Sequence, residues 1–153
     1  FDTITLRYPS GRHDAEALLV DPLSGDLFVA TKQQRRTRIY SAAKAQWQDG
    51  GTVILKLERE LVVGNVSAGD ISPDGREIIL RRENAAWIWK RQPGESVGSA
   101  LSRAPQTVPV IGPPREPNGE SIAFRTDGQG YYTLSEGQGQ TVYYFPGKAS
   151  GPP

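Results

Sequence analysis

The sequence predicts an all-β chain assembled from three copies of one four-stranded antiparallel unit. Three observations lead there. One pattern recurs three times along the chain without gaps. Within each copy, short β-branched or aromatic runs alternate with turns carrying Pro, Asp and Gly. The 153 residues include 17 Gly and 12 Pro, well above the roughly 12 % average usage of the two together, and such punctuation breaks long helices.

Ahead of the copies, Phe1 to Tyr8 alternates Ile4, Leu6 and Tyr8 with Thr3, Thr5 and Arg7, the period of a lone half-buried strand. The copies are AEALLVDPLSGDLFVATK (Ala15 to Lys32), VSAGDISPDGREIILRRE (Val66 to Glu83) and GESIAFRTDGQGYYTLSE (Gly119 to Glu136), offset by 51 and then 53 residues. Asp21-Pro22, Ser72-Pro73 and Arg125-Thr126 share one column of this alignment. Leu27-Phe28-Val29, Ile78-Ile79-Leu80 and Tyr131-Tyr132-Thr133 share another. Each copy opens on an inner strand, with Leu18 to Val20 and Ile122 to Phe124 as its apolar runs. A tight turn follows. At Pro73-Asp74-Gly75 the proline presets φ, the Asp side chain bonds nearby backbone and the glycine accepts positive φ; Asp127-Gly128 repeats the last two roles.

The second strand of each copy is the second column. A third runs over Thr37 to Ser41, Ala85 to Lys90 and Thr141 to Phe145; in the middle one Trp87 and Trp89 share a face opposite Ile88. A fourth is readable at Val53 to Leu57, extending toward Val63, and at Thr107 to Val110. Between strands three and four of the second copy, Glu95 to Arg103 reads as a short helix, entered after Pro93-Gly94 and closed before Pro105. Its stripe of Val97, Ala100 and Leu101 is expected to cover an exposed outer strand.

A unit of about 50 residues and four strands has the size of one β-propeller blade. The expected architecture is a propeller segment of about three four-stranded blades over residues 1–146, with repeats starting near 15, 66 and 119. The last blade lacks its outer strand, and 147–153 forms a flexible Gly/Pro tail. The lone strand at the start has the position of the outermost strand of a preceding blade. Rings typically have about four to eight blades, so the chain is expected to supply half of a roughly six-bladed ring. Its complement is a companion fragment of the same precursor or a second copy of itself. Many short strands also allow a small barrel or sandwich, but the repeat spacing favours blades.

The turns Asp21-Pro22-Leu23-Ser24-Gly25-Asp26-Leu27 and Ser72-Pro73-Asp74-Gly75-Arg76-Glu77-Ile78, with a degenerate copy at Thr126-Asp127-Gly128-Gln129-Gly130-Tyr131, resemble blade turns of known propeller families. These are the TolB-like, YWTD-like and strictosidine-synthase- or gluconolactonase-like groups. The resemblance implies the blade fold over nearly the whole chain. It implies no activity, because the same turn builds blades in enzymes, hormone-binding modules and scaffolds alike. The YWTD tetrad itself is absent from the sequence.

Composition excludes several classes. With 18 Lys+Arg against 17 Asp+Glu, the chain lacks the basic surface of a nucleic-acid binder. No apolar run approaches the ~20 residues of a membrane-spanning helix. The absence of Cys removes disulfides, Cys-ligated zinc and thiol nucleophiles, and a single His leaves no multi-histidine metal site. No Gly-x-Ser-x-Gly elbow is present. The start at Phe1, with no Met anywhere, reads as a processed product: a mature chain after signal-peptide removal, or a piece of a longer precursor. That points to a secreted, extracellular or periplasmic location; an arbitrary chain boundary gives the same start.

Propellers bind at the mouth where inner strands begin. In blade one that stretch is Arg12-His13-Asp14-Ala15-Glu16, and the alignment sets Asp14 with Asn118 and Glu16 with Ser67 and Glu120. The expected ligand-binding set is therefore His13, Asp14, Glu16, Asn118 and Glu120. Asp14, Glu16 and Glu120, converging from different blades, would suit Ca²⁺, which takes about six to eight oxygen ligands. The alternative is that these carboxylates are solvated or bonded to backbone amides, with no cofactor at all. The leading reading is a non-enzymatic ligand- or protein-binding module completed by a second chain. One alternative is a metal-dependent hydrolase or lactonase-like propeller, with His13 as proton acceptor beside the acidic mouth. Another is a lectin-like surface built on Trp87, Trp89, Tyr131, Tyr132, Tyr143 and Tyr144, although paired aromatics more often fill the space between sheets.

Overall fold

Each repeat closes on the same turn, and the turn sets the strands on either side. The computed structural model describes residues 2–147. The Asp21 N–H donates to the Asp26 carbonyl, Ser72 to Glu77, and Arg125 to Gly130, each at 2.9 Å. Side chains finish the first two turns. Asp21 accepts from the Leu23 N–H and the Ser24 hydroxyl, both at 3.1 Å. The Ser72 hydroxyl donates to Asp74 at 2.6 Å and accepts from the Glu77 N–H at 2.8 Å. Gly75 closes its turn at φ 70°, a conformation that a Cβ resists.

Strand β1 (Ile4–Arg7) comes first, followed by β2 (Ala15–Val20), β3 (Leu27–Thr31), β4 (Thr37–Ala42), β5 (Gly51–Ile54) and β6 (Lys56–Leu61). Blade one is the antiparallel sheet β2-β3-β4-β6. Blade two is β7 (Ala68–Ile71), β8 (Glu77–Arg82), β9 (Ala85–Lys90) and β10 (Gln106–Val108), with the helix α1 (Val97–Ala100) between its last two strands. Blade three has β11 (Gly119–Phe124), β12 (Gly130–Ser135) and β13 (Tyr143–Pro146) and no fourth strand among the described residues.

The period-two rule distributes the core between the blades. Ala17, Leu19 and Phe28 of blade one meet Ile71, Ile78, Leu80 and Trp89 of blade two. The opposite face of blade two, Ile79 and Ile88, meets Ile122, Phe124 and Tyr131 of blade three. Polar latches cross each interface. Arg91 pairs with the buried Asp21 at 2.9 Å, and the Phe124 N–H donates to Asp70 at 2.8 Å.

Four expectations change in detail. The fourth strand of blade one is not the single run from Val53. Leu55 is buried and its N–H donates to the Arg7 carbonyl at 2.8 Å, so the run splits into β5, which pairs in parallel with β1, and β6, which completes the blade. The lone strand thus lies on the face of blade one turned away from blade two, where Leu6 and Tyr8 pack on Tyr40, Ala42, Val53 and Leu55. Strand β10 stops at Val108 because Pro109 has no N–H for the ladder; its carbonyl accepts the Tyr131 hydroxyl at 2.6 Å instead. Regular helix is confined to Val97–Ala100, capped by the Ser96 hydroxyl. Its stripe does not cover an edge: Val97, Ala100 and Leu101 fill the core between blades one and two. The third strand of blade three starts at Tyr143, leaving Thr141 and Val142 exposed. The expected tail lies, from residue 148 onward, outside the described residues. Among the described residues no helix is long and apolar enough to cross a membrane.

Candidate functional site

The mouth is built by a repeated irregularity at the start of the inner strands. In blade one the ladder steps from Ala15 opposite Thr31 to Ala17 opposite Ala30, leaving Glu16 as the extra residue of a bulge. In blade three it steps from Gly119 to Ser121, leaving Glu120 extra in the same way. A bulge re-aims a side chain that a regular strand would have committed to one face. Blade two has Ser67 in this column, and its N–H donates to the Arg81 carbonyl at 2.9 Å while its hydroxyl donates to the Gly119 carbonyl at 3.3 Å.

Between the two glutamates stands Lys32, the residue just after β3. Its ammonium lies 2.7 and 2.9 Å from the Glu16 carboxylate oxygens and 3.5 Å from Glu120. The hydrogen bond to Glu16, against some desolvation, and the charges of both carboxylates hold the ammonium above its ordinary value. The lysine nitrogen thus lies between Glu16 and Glu120, two of the three carboxylates (with Asp14) expected to suit Ca²⁺. Among the described residues no group of three or more His, Cys, Asp and Glu side chains gathers as a metal site.

Asn118 is brought to the same mouth, its N–H bonded to the Ser135 hydroxyl at 2.9 Å. His13 and Asp14 are not. The His13 ring turns toward blade one's outer cluster, with Nε2 at 2.9 Å from the Ser10 hydroxyl and 3.2 Å from the Tyr40 hydroxyl. Its ring stands edge-on to Tyr8 with centroids 4.9 Å apart. Asp14 contributes its carbonyl to the Lys32 N–H at 2.8 Å. Its charge is felt at Tyr8, whose phenol is raised by burial, then by Tyr40 and Asp14.

Lys32, Asn65, Arg82 and Asn84, which sequence reasoning did not single out for the mouth, complete a cleft of about 450 Å³ with Ser67, Glu83, Asn118 and Glu120. The signal for Lys32 was present: it closes the first repeat opposite Asp14, so the hairpin returns it to the mouth. The aromatic residues divide. Trp89 and Tyr131 are buried, whereas Tyr132 and Tyr144 are exposed with rings 5.3 Å apart on blade three's outer face.

Successive antiparallel sheets packed face to face, with their inner strands starting at one shared mouth, define a β-propeller-like fold. No family model matches the chain, and no curated protein matches it in sequence. Among solved structures it is similar to a protein from Lactobacillus plantarum, at 12% identity and a TM-score of 0.47, over 86% of this chain and 40% of that one. It is also similar to Chaetomium thermophilum Sqt1, solved bound to the N-terminus of the ribosomal protein L10, at 15% identity and a TM-score of 0.48, over 89% of this chain and 46% of that one. The chain spans less than half the length of either protein.

Proposed function

We propose that the chain is a non-enzymatic, protein-binding propeller segment that uses this mouth as its binding site. Its ring is completed by a second chain, a companion fragment of the same precursor. The observation that carries the binding role is the make-up of the cleft. Carboxamides and a hydroxyl from blades two and three surround an ammonium already neutralised by Glu16 and Glu120. Such groups both donate and accept hydrogen bonds, which suits the repeated amides of a polypeptide. Completion is supported by the end faces. Strand β1 covers only the outer part of blade one, leaving Leu18 and Val20 of the inner strand exposed, and Tyr132 and Tyr144 are exposed at the other end.

Parallel screens of the full chain against a synthetic peptide array, a glycan array and a calcium titration test this reading. Peptide binding that is lost in Asn84→Ala or Asn118→Ala is the expected result. No peptide binding overturns it, as does glycan binding abolished by Tyr132→Ala, which establishes the lectin. Calcium held by Glu16 and Glu120 together with lactone hydrolysis establishes the enzyme. Light scattering tests completion separately. A second copy gives twice 16.7 kDa and replaces the companion. A chain that stays at 16.7 kDa and binds no apolar dye refutes completion altogether.

A further inference from the structure

The mouth holds two cations, and only one is neutralised. Lys32 is taken by Glu16 and Glu120. Arg82, at the end of β8, enters no ion pair among the described residues. Its Nε is buried and has no hydrogen-bond partner. Its guanidinium carbon lies 5.6 Å from the centroid of the Trp87 ring, which packs against the core between blades one and two. A guanidinium resting on an indole loses little freedom on binding, and its planar donor geometry matches a carboxylate.

The surroundings narrow the ligand. Asn84 and Asn118 line the same cleft, and each carboxamide can pair with a peptide group through both its donor and its acceptor. Asn65, also in the lining, holds φ 57°, outside the range most side chains adopt. Its N–H is fixed to the Gln33 carbonyl at 2.7 Å. The exposed Glu83, which has no cation partner among the described residues, and Glu120 share the cleft with Arg82. Two carboxylates oppose a doubly charged phosphate more strongly than a singly charged carboxylate.

The geometry points to an extended peptide of a partner protein that bears an Asp or Glu side chain, with that carboxylate on the Arg82 fork and the flanking peptide groups on Asn84 and Asn118. This inference rests on the protein-binding reading and names the partner's chemistry.

Fluorescence polarisation with labelled hexapeptides differing only by Asp, Asn or Lys at one position tests it. The Asp peptide is expected to bind the wild-type chain about ten- to a hundredfold more tightly than its Asn twin, the scale of a charge-assisted hydrogen-bonded pair. Arg82→Gln should erase that difference. Glu83→Gln, at an exposed position, should tighten the Asp peptide about two- to fivefold relative to its Asn twin. Equal binding of Asp and Asn peptides overturns the acidic-peptide inference while leaving the protein-binding reading intact. A Lys preference overturns it by making Glu83 the reader, and failure of every peptide overturns both. Circular dichroism reports whether Arg82→Gln is folded; if it is not, the absence of any gain in Glu83→Gln overturns the inference.

Discussion

Arg81 and Glu116 are both wholly buried and lie 3.1 Å apart, Arg81 on the second strand of blade two, β8, and Glu116 in the loop leading to blade three. The guanidinium is fully employed. It donates to both Glu116 oxygens, at 3.3 and 3.1 Å, and to the carbonyls of Ser121, Glu83 and Arg82 at 2.8, 3.0 and 3.3 Å. Replacing it by methionine keeps much of the volume but strands the Glu116 carboxylate in a fully buried site. Breaking a buried pair by removing one partner costs about 3–5 kcal/mol, and at roughly 2–4 °C per kcal/mol for a chain of this size the midpoint should fall by about 6–20 °C.

Chemical denaturation of Arg81→Met, Glu116→Leu and the double variant, read by tryptophan fluorescence, closes a cycle. Loss of the three carbonyl partners is common to the single arginine variant and the double one. What separates them is the uncompensated carboxylate. The double variant should therefore be more stable than the sum of the single effects by about 2 kcal/mol or more. Coupling below roughly 0.5 kcal/mol, the level of independent sites, would refute the claim that charge compensation, rather than packing, holds this junction.

Gly119 sits where an added Cβ would come within 1.9 Å of the Arg81 guanidinium and 2.6 Å of the Glu83 carbonyl. Gly119→Ala should therefore destabilise by about 1–3 kcal/mol through overpacking, measured by the same denaturation, whereas Gly128→Ala meets no neighbouring atom within 4 Å and carries only the strain of its φ of 71°. Burial pushes the Asp21 carboxyl up, but hydrogen bonds from Arg91, the Leu23 N–H and Ser24, with the Arg91 charge, outweigh it and leave the carboxyl below its ordinary 3.8. Its contribution is thus present above 3.8 and lost as pH falls through the lower folded value. Arg91→Gln should cost about 1.5–3 kcal/mol at neutral pH, with the gap to wild type narrowing in acid; a gap that stays constant below 3.8 would contradict the pairing.

What was legible in the sequence was what is made locally. The column of Asp21, Ser72 and Arg125 specifies one turn, and the same backbone hydrogen bond forms three times. The column of Glu16, Ser67 and Glu120 marks the mouth, and the ladder bulges at the two glutamates. His13 stands beside Asp14 in sequence but is drawn toward Tyr40 of blade one and toward Tyr8, which follows a strand outside all three blades, contacts no spacing announces. Arg81 and Arg82 stand side by side in the sequence, yet one is sealed by a glutamate from the Pro-rich stretch between Pro109 and Asn118, which carries no periodic pattern. Charges paired across 35 residues are set by tertiary approach, and neither partner's neighbours in sequence reveal the other.

The middle blade explains why the Arg82 side of the mouth lies where it does. Among the described residues only blade two has both faces buried, Ile78 and Leu80 toward blade one and Ile79 and Ile88 toward blade three. Blades one and three each keep one face partly open, at Leu18 and Val20 and at Tyr132 and Tyr144. Ser67, Arg82 and Asn84 belong to the fully supported sheet and its flanking turns, so their positions depend least on what lies against the outer faces. Lys32 from blade one, bonded to Glu16 and reaching Glu120 of blade three, then ties the two less supported sheets across the same opening. A mouth arranged this way should keep its Arg82 side in place whether or not the outer faces are covered, while covering them would act first on the Lys32 clamp.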